Sequence, residues 1–95
     1  MRNGSTADPS TQFSTGMSPE QASQERRNTA GLLATTNSNL QKVSGRQLNP
    51  HQLDMLKQVR SYIEQANSAD DAGDLQSAHN LALKAQLLST ELIRH

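Results

Sequence analysis

Cysteine and tryptophan are absent from this 95-residue chain, and phenylalanine and tyrosine occur once each. Without cysteine there are no disulfides, no thiolate nucleophile and no cysteine-ligated zinc, and the redox compartment stays open. So few aromatic and β-branched residues cannot fill a sheet sandwich. Apolar burial has to come from Leu, Ile, Val and the many Ala residues, which suits closely packed helices. No apolar run approaches the roughly 18 to 20 residues of a membrane span, so none is expected. The opening Met1-Arg2-Asn3-Gly4-Ser5 also lacks the apolar stretch of a signal peptide. The default compartment is therefore the cytoplasm, with the cell envelope or periplasm as the alternative if a leader has been removed.

A dominant charge is missing too. Nine Lys/Arg balance nine Asp/Glu, with five against three in residues 1–47 and four against six in residues 48–95, a mild +2 and −2. Neither half carries a basic stripe with interleaved aromatics, so no nucleic acid is expected as a partner.

Motifs that carry chemistry are equally scarce. There is no Gly-rich phosphate loop, no metalloprotease histidine pair and no nucleophile motif. Asp70, Asp71 and Asp74 crowd one short stretch, but a calcium loop alternates its ligands over about twelve residues and closes on a Glu that this stretch lacks. His51 and His95 fall at the same end of the helical hairpin described below. Two imidazoles are still short of the three or four ligands of a specific metal site. The expectation is a chain that is not an enzyme, with no cofactor, no metal and no small-molecule substrate.

What the chain does contain is helix grammar. Residues 1–17 are a polar Ser/Thr/Asn/Gly/Gln leader, expected to be disordered because, after Met1, Phe13 and Met17 are its only large apolar members. Residues 18–95 form the expected helical domain, with a hairpin over 48–95. Ser18-Pro19-Glu20-Gln21 reads as an N-cap, a proline at the first helical position and a capping-box partner. The first helix then runs over 19–43, with a weak seam at Ala22, Thr29, Leu33, Thr36, Leu40 and Val43, and Gly31 inside it. Asn49-Pro50-His51-Gln52 repeats the start signal, with Leu48 and Leu53 placed to form a hydrophobic staple.

The second helix, over about 50–72, carries Leu56, Val59, Tyr62, Ile63, Ala66 and Ala69 on one face. Gly73 suits a left-handed helix stop and Asp74 a new cap, so the third helix, over about 74–93, returns antiparallel. Its main stripe is Leu75, Ala78, Leu81, Ala82, Ala85, Leu88 and Leu92. The side chains expected to be most buried are Leu56, Val59, Ile63, Ala78, Leu81, Ala85 and Leu88. The fold class that follows is all-α, a hairpin with a weaker first helix forming a three-helix bundle.

The segment Ala72-Gly73-Asp74-Leu75, with Ala78, Ala82, Lys84-Ala85, Tyr62 and Ala66, resembles one tetratricopeptide repeat over residues 59–92. It departs from that family at Gln65 and Ala69, where bulky residues are usual, and at Thr90, where Pro is usual. The resemblance implies two closely approaching helices. It does not imply a peptide-holding groove, because such repeats need at least about three stacked copies and this chain has one. The stretch from Leu48 to Leu92 is also similar to hairpins in small bacterial proteins, some of them envelope lipoproteins. That likeness implies a tethered envelope spacer or regulator as an alternative function.

Leu83 and Leu87 stand apart from the main stripe of the third helix as an i, i+4 pair. Helix 1 is the nearest candidate to cover them, through Leu33, Leu40 and Val43, but only marginally, because Thr29, Thr36 and Gly31 dilute its seam, so a partner or a second copy is expected to use the same surface. The expectation is a non-catalytic protein-interaction or structural module. Its partner is another protein or a second copy, and Leu83, Leu87, Leu33 and Leu40 are its candidate partner-binding residues.

Overall fold

Two capping boxes built from Ser18 with Gln21 and from Asn49 with Gln52 start the first two helices of the computed structural model, which describes residues 17–94. In each, the cap side chain accepts from the backbone N–H of the Gln three residues on, and the Gln side chain accepts from the N–H of the cap residue. Free amides at a helix start are thereby satisfied reciprocally. The elements are α1 (Pro19–Val43), α2 (Pro50–Asp71) and α3 (Leu75–Arg94), with no strand among the described residues. The expected leader, apart from Met17, and the expected meeting of His51 with His95 lie outside the described residues.

Gly73 closes α2 at φ +83°, a left-handed conformation in which a side chain would be strained. Its N–H donates to Asp70 O and the N–H of Asp74 donates to Ala69 O, so the last carbonyls of α2 find partners. Asp74 Oδ1 then accepts from Ser77 N at 3.3 Å as α3 begins. This tight reversal sets α2 and α3 antiparallel. Between α1 and α3, Glu25 faces His79 and Asn39 faces Ser89. Both numbers rise together, so these two helices run parallel, and the bundle is up, down, up.

The bundle is not symmetric about its axis. Helix α3 packs along both neighbours, whereas α1 and α2 meet each other only sparsely. The reason lies in the buried face of α3, whose Ala78, Ala82, Ala85 and Ser89 are fully buried. Small side chains let two other helices approach closely, and α3 becomes the shared central element. One buried residue from each helix, Val43, Met55 and Leu92, forms the apolar cluster, with Leu40, Leu56, Leu88 and Ile93 packed against it.

The core differs in part from the expected one. Val59, Ala78 and Ala85 are fully buried as expected, but Leu56, Ile63, Leu81 and Leu88 are only half-buried. Their long side chains remain partly exposed, while Ala66, Ala78, Ala82 and Ala85 are fully buried. Met55, absent from the expected face of α2, is buried instead.

Candidate functional site: the leucine face of the central helix

The α1–α3 interface decides which part of α3 is left open. Its buried contributions from α1 are Thr29, Thr36, Asn39 and Val43, three of them polar. Thr36 Oγ1 donates to Leu32 O at 2.8 Å, so its hydroxyl is satisfied within its own helix and its methyl group is left to pack. Asn39 Nδ2 donates to Ser89 Oγ at 3.0 Å and to Thr90 Oγ1 at 3.3 Å. Both hydroxyls in turn donate to Gln86 O, at 2.8 and 3.0 Å. Toward the other end, His79 Nδ1 lies 2.8 Å from Glu25 Oε1, and Arg26 Nε of α1 lies 3.7 Å from Asp70 Oδ1 near the end of α2. The buried hydroxyl of Thr29 has no hydrogen-bond partner.

Docked in this register, α1 does not cover Leu83 and Leu87. Leu87 is 58% exposed and Leu83 is 37% exposed. The cover expected from Leu33, Leu40 and Val43 is only marginal, and Leu87 is left open. Asn39 of α1 is hydrogen-bonded to Ser89 and Thr90 on another flank of α3, and Val43 belongs to the core cluster. Leu40 packs against that cluster and lines a shallow groove of about 660 Å³ between α1 and α2, with Ile63 and the polar Asn37, Gln41, Ser44, Arg60 and Glu64. Leu33 is half-buried on α1. The four candidate residues thus divide, with Leu83 and Leu87 on one surface and Leu40 on another.

Leu87 sits in a second, smaller depression of about 430 Å³ between α2 and α3, lined also by Gln58, Tyr62, Lys84, Leu88 and Glu91. Lys84 Nζ lies 6.0 Å from the centre of the Tyr62 ring, at the outer reach of a cation–π contact. Glu91 Oε2 lies 3.8 Å from Arg94 Nη1 one turn on, and both groups are largely solvated. This surface joins an apolar centre of Leu87, Leu88 and Tyr62 to one charge of each sign. Sequence periodicity identifies the two leucines but not Tyr62, whose place on α2 beside Leu87 depends on how the hairpin closes.

Among the described residues, no group of three or more His, Asp or Glu is placed to hold a metal ion, and no helix is long and apolar enough to cross a membrane. No protein family, curated protein or solved structure matches the chain.

Proposed function

We propose that this protein is a non-catalytic interaction module that binds another polypeptide through the leucine face of α3. The observation that carries the reading is the exposure of Leu87 and Leu83 on the one helix otherwise enclosed by two neighbours. Two large apolar side chains one turn apart, bordered by a half-buried tyrosine and by charged groups at the rim, have the make-up of a small recognition patch. A solvated helix face with no such role is ordinarily polar.

The test is capture from lysate of the source cells with the whole chain and with the double variant Leu83→Ser, Leu87→Ser. The patch lies outside the core, so the variant keeps its helical content and its cooperative melt. Partners held by the wild-type chain should be lost from the variant. Identical capture by a folded variant would remove this face from the interaction.

A further inference from the structure

We infer that the leucine face of α3 pairs with the same face of a second copy of this chain, antiparallel about a two-fold axis beside Leu87. This rests on the interaction reading above and commits it to one partner. Lys84 and Glu91 both line the depression that holds Leu87, and they are seven residues apart. Seven residues is close to two helical turns, so the two side chains share one edge of α3.

The point midway between residues 84 and 91 falls between Leu87 and Leu88. Turning a second α3 end for end about that point brings Lys84 of each copy opposite Glu91 of the other. One lysine and one glutamate per chain thereby make two cross-copy ion pairs. Such self-complementarity is what a two-fold interface requires, because the same patch must serve both sides. The parallel arrangement would oppose Lys84 to Lys84 and Glu91 to Glu91, so charge selects the antiparallel one.

The apolar side chains fit the same axis. Leu87, the most exposed large hydrophobic residue among the described residues, stands beside the two-fold and meets its own counterpart, while Leu83, Leu88 and Tyr62 border the contact. Lys84 Nζ lies 6.0 Å from the centre of the Tyr62 ring at the edge of the patch. A chain of zero formal charge brings no long-range repulsion to the encounter of two copies. With two exposed leucines per copy the contact belongs with transient interfaces, which bury under about 1,200 Å² in total.

Sedimentation equilibrium of the whole chain over a wide concentration range at low ionic strength tests the pairing. The wild-type chain should associate reversibly to a dimer, weakened by added salt and by Leu87→Ser. Lys84→Glu alone or Glu91→Lys alone turns two attractions into two repulsions and should raise the dimer dissociation constant about tenfold. The double exchange Lys84→Glu with Glu91→Lys should restore it, a rescue that only self-pairing produces. Lysine and glutamate are comparable helix formers, so circular dichroism should be the same for all variants. A wild-type chain that stays monomeric, single exchanges without effect, or a double exchange as weak as the singles would overturn the inference. If the chain is monomeric and still captures a partner through Leu83 and Leu87, the self-pairing falls and the interaction reading stands.

Discussion

Helix α3 is flanked by two helices that attach to it by different physics. The α2 side buries Met55, Val59 and Ala66, an apolar row. The α1 side buries Thr29, Thr36 and Asn39 before it reaches Val43. Apolar burial is strong and non-directional, and contributes on the order of 25 cal/mol per Å². A net hydrogen bond contributes only about 1 kcal/mol, but it is directional. The α2–α3 pair is therefore the more stable unit, and the α1–α3 pair the one with the more closely specified register. Asn39 bonds both Ser89 and Thr90 in the observed alignment. With α1 seated at Ser89 and Thr90, Leu83 and Leu87 are left exposed.

The largest expected effect erases the distinction between the two sides. Leu92 is fully buried and shares the core cluster with Val43 of α1 and Met55 of α2. Leu92→Ala should lower stability by about 3 kcal/mol through lost burial and a residual cavity, and chemical denaturation should show all three helices weakened together. A loss under about 1 kcal/mol would mean that this cluster does not join the two interfaces.

A smaller change should separate them. Asn39→Ala removes the donor shared by Ser89 and Thr90 and should cost about 1.5 kcal/mol. Native-state hydrogen exchange should report that loss in α1 while α2 and α3 keep their protection. Equal loss of protection in all three helices would show that α1 is not the weaker attachment.

The smallest change should narrow the contrast from the other direction. Gly31 lies inside α1, and a methyl group built on it meets nothing within 4 Å. Gly31→Ala should therefore stabilise the protein by up to about 1 kcal/mol through helix propensity alone, with slower amide exchange along α1. An unchanged or lowered melting temperature would show that α1 stability does not limit its docking.

The helices and their ends were legible because their signals are local. The residues of each capping box, Ser18 with Gln21 and Asn49 with Gln52, lie within one helical turn of each other. The Gly73-Asp74 stop and restart needs only the left-handed freedom of glycine and a short acidic side chain. Leu83 and Leu87 could be named as a pair from their spacing, since a spacing of four residues places side chains on one face. The polar seam was only partly legible. Thr36 reads as a diluted apolar position, yet once its hydroxyl donates to Leu32 O it buries as completely as a valine. The sequence shows Asn39 as one more polar residue on an exposed-looking stretch, and its partners stand fifty residues away.

The all-α class, the helix limits and the antiparallel hairpin were determined by the sequence itself, through interactions that close within a few residues of the chain. Only the tertiary structure decided which flank of α3 receives α1, that α1 and α2 stand apart, and that Tyr62, Lys84 and Glu91 gather around an uncovered Leu87. Periodicity states which residues share a face. Which faces meet is chosen by the competition between helices for the small-residue surface of α3, and that competition involves the whole bundle at once.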